Sequence, residues 1–297
     1  MTWRDDALNR LAEMLPCGYH AGSPPATEPT ALAALALAVH DRATDATSGL
    51  TWLAELQAES GNLGVTATES SPCWPTSLAT LAWMSYIGHF GETNAGFDYR
   101  GPVGRAIGWI LETKGNTIPP SPELGHNTQL VGWPWVVGTH SWLEPTAWAV
   151  LALKAAGRSD HPRTREAVKL IIDRLLPNGG CNYGNTFVLG QELRPHIQPS
   201  GLAMAALAGE TGYDVDNRIP HTLDYLEQEL GAATTTESLC YGLLGLAAQG
   251  RPLPQGNAWL AAAYDRVVRR DASGQKLALL TLAAARTTLP QVLGAKG

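Results

Sequence analysis

The sequence predicts an all-α fold in which surface and buried helices alternate and close into two concentric rings, an (α/α)6 toroid. Three observations predict it. A short cassette recurs six times, each copy follows an amphipathic helix, and the cassettes themselves are apolar nearly all round, as buried helices are. In chain order, Asp5–Leu15 leads into Glu28-Pro-Thr-Ala-Leu-Ala-Ala-Leu, and Ala46–Gln57 into Trp74-Pro-Thr-Ser-Leu-Ala-Thr-Leu. Val103–Glu112 precedes Glu144-Pro-Thr-Ala-Trp-Ala-Val-Leu, and Arg163–Leu175 precedes Gln198-Pro-Ser-Gly-Leu-Ala-Met-Ala. The last two pairs are Ile219–Leu230 with Glu237-Ser-Leu-Cys-Tyr-Gly-Leu-Leu and Ala258–Arg270 with Gln275-Lys-Leu-Ala-Leu-Leu-Thr-Leu.

Each cassette reads as a helix start. Proline suits the first turn, where its missing N–H had no intrahelical partner, and a carboxylate there complements the helix dipole. The long helices between cassettes carry apolar residues at three-and-four spacing, with charge on the other face. Small Ala side chains let the inner helices crowd around one axis, and the six polar starts then share one mouth of the barrel. Cassette starts at 28, 74, 144, 198, 237 and 275 place the surplus chain in three loops, 59–73, 114–143 and 177–197, over that same mouth. Loops longer than about 12–15 residues within a domain are usually functional or disordered. Here they contain Trp133, Trp135, Trp142, Tyr183, Phe187 and His196, which argues for order. Nothing in the composition divides the chain, so residues 1–297 read as one toroid domain.

Composition narrows the partners. With 21 Lys and Arg against 27 Asp and Glu, and no basic run beyond Arg269-Arg270, the chain lacks the cationic face that nucleic acid requires. Its apolar stretches fall short of the roughly 20 residues needed to span a bilayer, and Met1-Thr-Trp-Arg-Asp-Asp is no secretory leader. The expectation is a cytoplasmic protein without a transmembrane segment; peripheral membrane contact or a partner protein stays open. Cys17, Cys73, Cys181 and Cys240 form no CxxC pair, which fits neither a disulfide framework nor a thiolate zinc site. No cofactor or metal is expected. The chain holds 10 Trp and 8 Tyr against 3 Phe, an aromatic weighting that suits a pocket as well as a core.

Two segments carry a family resemblance. Trp52-Leu-Ala-Glu-Leu-Gln57-Ala-Glu-Ser-Gly61 and Asn178-Gly-Gly-Cys-Asn-Tyr-Gly184, set among six alternating hairpins, resemble the repeat of the squalene-hopene cyclase and prenyltransferase superfamily across essentially the whole chain. Leu63 and Cys181 stand where that repeat has Trp. In cyclases an Asp-x-Asp-Asp-Thr-Ala motif opens an inner helix, and its middle acid protonates the substrate. Aligned on Thr146-Ala147, Trp142-Leu-Glu-Pro-Thr-Ala puts Glu144 at that acid, without the flanking carboxylates. The resemblance therefore implies Glu144 as the catalytic acid, with His140 or His126 from the preceding loop in support. Trp74, Trp133, Trp135, Trp142, Trp148, Tyr183, His196, Gln198, Glu237 and Tyr241 are the expected lining of a site for a hydrophobic, isoprenoid-like small molecule.

Other readings stay in play. The prenyltransferase branch binds zinc through Asp-x-Cys, and Ser238-Leu-Cys240 lacks the Asp. Asp214-Val-Asp216-Asn opens an outer helix at the opposite end and reads as helix capping. Neither the Cys-His-Gly element of lanthionine cyclases nor the Gly-Cys-Gly-Glu-Gln element of thioester domains occurs. The leading expectation is an acid-initiated cyclase or isomerase. A noncatalytic lipid- or peptide-binding toroid and a carbohydrate-active toroid are the alternatives, the last requiring a second carboxylate near Glu144.

Overall fold

The computed structural model describes residues 2–91, 98–121, 123–188, 190–210, 212–214 and 216–285. Six inner helices, α2 (Thr27–Val39), α4 (Thr76–Phe90), α6 (Leu143–Ala155), α8 (Ile197–Ala206), α10 (Thr236–Ala248) and α12 (Gly274–Ala283), pack each against the next, and α12 returns onto α2 to close the ring. The outer helices are α1 (Trp3–Met14), α3 (Ala43–Leu56), α5 (Arg100–Glu112), α7 (Pro162–Asp173), α9 (Arg218–Glu229) and α11 (Gly256–Arg270). Each packs on the inner helix that precedes it in the ring, with α1 on α12. This is the predicted toroid.

Burial follows the sequence pattern. Every residue of α2 except Glu28 is buried, whereas α3 buries only Ala46, Gly49, Leu50 and Leu53. Inner helices come closest where side chains vanish: a Cβ on Gly201 of α8 would lie 2.2 Å from the Tyr241 carbonyl oxygen, and one on Gly245 of α10 would lie 2.3 Å from the Gly201 oxygen.

Repeated hydroxyls fasten the loops to the inner helices. Thr30, Thr76, Thr146 and Ser200, the residues after the cassette prolines, accept hydrogen bonds at 2.8–3.1 Å from the backbone N–H of Cys17, Leu63, Trp133 and Cys181. The Pro-Thr/Ser pair is thus a helix start and a loop anchor together. Each buried N–H satisfied this way avoids a penalty of about 1–3 kcal/mol. The loop before α8 also holds a two-residue hairpin, β1 (Phe187–Val188) with β2 (Gln191–Glu192), which the sequence pattern did not announce. At the far end Asp214 accepts from the N–H groups of Arg218 and Ile219 at 2.7 and 3.0 Å, capping α9. All four cysteines are free and buried. Among the described residues no helix is long and apolar enough to cross a membrane.

Candidate active site at the barrel mouth

Five of the six inner helices carry Glu or Gln as their second residue: Glu28, Glu144, Gln198, Glu237 and Gln275. The shared cassette position brings these side chains to one end of the ring, with carboxylates on α2, α6 and α10 and amides on α8 and α12. In the α4 cassette the corresponding residue is Trp74.

Glu144 is the most buried of the three acids, at 6% exposure. Desolvation raises its pKa from 4.5 to about 7, and the negative charges of Glu28 and then Glu237 add to the shift. The indole of Trp148, one turn further along α6, and the amide of Gln198 pull it down. Gln198 Nε2 lies 3.5 Å from Glu144 Oε1, a long hydrogen bond, and Trp148 Nε1 is buried without an acceptor in hydrogen-bond geometry. Near neutral pH this carboxyl is therefore poised between its acid and its anion.

The other two acids are held differently. Glu28 takes a hydrogen bond from Tyr19 Oη at 2.7 Å on one oxygen and from Gln275 Nε2 at 2.9 Å on the other, and burial still raises its pKa. Glu237 is partly exposed and accepts no hydrogen bond from the described residues. Tyr241 is buried among the three carboxylates, and burial together with their charge pushes its phenol pKa well up. Its ring meets that of Trp148 edge-on at 6.1 Å. Tyr183 and His196 stand at the rim, exposed, with rings 5.4 Å apart, and the Glu144 charge reaches the Tyr183 phenol.

The structure thus gathers Glu144, Trp148, Gln198, Glu237 and Tyr241 at the mouth, with Tyr183 and His196 above them. Glu28, Gln275 and Tyr19 join them, although sequence reasoning had not placed them in the site; their signal was the cassette position itself. Trp133 lies elsewhere. It is buried, its Nε1 donates to the Ile110 carbonyl at 2.8 Å, and Arg163 covers its ring 4.4 Å from the centroid. Trp74 and Trp135 pack edge-to-face on each other at 4.9 Å. His140 is exposed, stacks on Trp142 at 4.6 Å and lines a separate cavity with His126. No group of three or more His, Cys, Asp or Glu among the described residues is placed to hold a metal ion.

No protein-family profile matches the sequence, and no curated protein does. Solved structures match well. A glycosidase E335A variant in complex with glucose has a TM-score of 0.57 at 12% identity, covering 99% of this chain and 97% of that one. A GH8 xylobiose complex from Teredinibacter turnerae also scores 0.57, at 11% identity, covering 99% and 94%. Salmonella α-2-macroglobulin scores 0.51 at 13% identity over 97% of this chain, which spans only 18% of that protein's length. The likeness is one of fold. It establishes the toroid, and the chemistry rests on the residues of the mouth.

Proposed function

We propose that this toroid is carbohydrate-active and cleaves a glycosidic bond at its mouth, with Glu144 as general acid and Glu237 as general base. The observation that carries the reading is a buried carboxyl at the mouth, its pKa raised by burial to about 7, sharing that mouth with two further carboxylates. Glycoside hydrolysis uses such a pair, one carboxyl kept protonated and one ionised. In the proposed step Glu144 gives its proton to the leaving sugar oxygen as the bond to the anomeric carbon breaks. A water attacks that carbon and passes its proton to Glu237, whose oxygens are unclaimed by donors among the described residues. Glu28 is less suited to that role, because Tyr19 and Gln275 already occupy both of its oxygens. Gln198 and Gln275 offer amides to sugar hydroxyls, and Tyr183 offers an exposed ring to a sugar face. The neighbours crystallised with glucose and with xylobiose support an oligosaccharide as the substrate class.

An isoprenoid substrate fits the mouth less well. An acid that protonates an alkene needs a dry aromatic pocket, and three carboxylates with two amides make this entrance polar. A thioester activity has no Gly-Cys-Gly-Glu-Gln element to work with. The test is a panel of α- and β-linked oligosaccharides assayed for new reducing ends with the wild type, Glu144→Gln and Glu237→Gln. Cleavage by the wild type, reduced by about 10²-fold or more in each variant, supports the assignment. Cleavage unchanged in Glu144→Gln contradicts it, and so does the absence of cleavage on any linkage, which returns the mouth to a lipid- or peptide-binding role.

A further inference from the structure

We propose that the cavity under the 114–143 loop is a second binding site, for a small hydroxylated carboxylate. Its lining comes from that loop, from Arg174 just beyond α7 and from Asn185, with no inner-helix residue, so it is separate from the mouth. Its volume is about 210 Å³, the scale of a single six-carbon ring or chain.

Arg174 is the deciding residue. It is only 4% exposed, and a buried guanidinium is costly unless its donors and charge are answered. Nη1 is answered, by Asp173 and by the Asn127 carbonyl at 3.3 Å. Nε is buried and unpartnered, and Nη2 donates to no described protein atom. Nε and Nη2 form the edge of the guanidinium fork that matches a carboxylate. Asp173 pairs with Arg174 at Nη1, and among the described residues no carboxylate lines the cavity.

The rest of the lining suits the body of such a ligand. His126 Nδ1 is buried without a hydrogen-bond partner, and burial and then the Arg174 charge lower the pKa of that ring. His140 and Asn185 also make no hydrogen bonds with the described residues and face the same cavity. These groups can bind hydroxyls, while Leu124 and Leu130 supply an apolar wall.

The test is calorimetric titration of the full chain with glucuronate, with glucose and inorganic phosphate as control probes. Binding of glucuronate at least tenfold tighter than either control supports the site. Equal binding of glucose removes the role of Arg174, and equal binding of phosphate means that the cavity reads charge alone; either result overturns the proposal, as does no binding of glucuronate at millimolar concentration. Arg174→Met should abolish binding, but it also removes the anchor of Asn127. Asn185→Asp, at a partly buried residue without structural hydrogen bonds, sets a like charge before the ligand and should weaken glucuronate at least tenfold with the fold intact. An unchanged affinity in Asn185→Asp counts against the site. Glu144→Gln should leave glucuronate binding as it is, whether or not the mouth cleaves oligosaccharides; loss of binding there moves the ligand to the mouth and overturns the proposal.

Discussion

Gln198 Nε2 lies 3.5 Å from Glu144 Oε1, so the amide of the neighbouring inner helix reaches the acid through a long hydrogen bond. The contact favours the ionised form and opposes burial and the charges of Glu28 and Glu237. Gln198→Leu should therefore raise the Glu144 pKa above about 7, and Glu28→Gln should lower it. Carboxyl carbon NMR titration of the two variants should show shifts of opposite sign.

The same burial makes stability depend on pH. Glu144 titrates near 4.5 unfolded and near 7 folded, so between these values the folded chain binds more protons and loses stability as pH rises. Glu28, raised by burial as well, adds in the same direction. The Glu144 contribution is about 3 kcal/mol in full. Denaturant midpoints should fall from pH 5 to pH 8 in the wild type, and more shallowly in Glu144→Gln, which should be the more stable of the two at pH 8.

Catalysis should follow the acid. Cleavage should decline as pH rises through about 7, because the proton donor is lost there. A rate profile recorded with the best oligosaccharide checks this, and a plateau extending to pH 9 is incompatible with Glu144 as donor.

Thr146→Val should cost about 1–3 kcal/mol by leaving the buried N–H of Trp133 without its 2.9 Å acceptor. Equilibrium unfolding in urea measures it. Thr47→Val, at an exposed hydroxyl on α3, is the control and should change stability by less than about 0.5 kcal/mol.

Gly201→Ala should destabilise by about 1–3 kcal/mol or more, because the obstacle to its Cβ is the Tyr241 backbone, which cannot swing aside. Since α8 carries Gln198 and α10 carries Glu237, activity should fall with stability.

The ring was legible in the sequence because each inner helix repeats one physical solution: a polar residue before Pro and a hydroxyl, followed by small apolar side chains. That regularity located all twelve helices, with outer-helix ends shifted by at most three residues. It also delivered Glu144, Gln198 and Glu237 to the mouth. The loops were less legible, since composition does not reveal which way a side chain turns. Trp133 sits in the loop before Glu144 in sequence, yet its backbone hangs on Thr146 and its ring lies under Arg163, away from the carboxylates. His140, only four residues from Glu144, turns to the cavity with His126. Glu28 and Gln275 hold the same cassette position and stood in the sequence as helix starts at that mouth.

The most direct test is the pKa of Glu144 in the intact wild-type protein, read by carboxyl carbon NMR and assigned by its absence in Glu144→Gln. A midpoint at about 7 is expected. A midpoint near the ordinary glutamate value of about 4.3 would make Glu144 a solvated helix-start charge and leave the mouth without its proton donor.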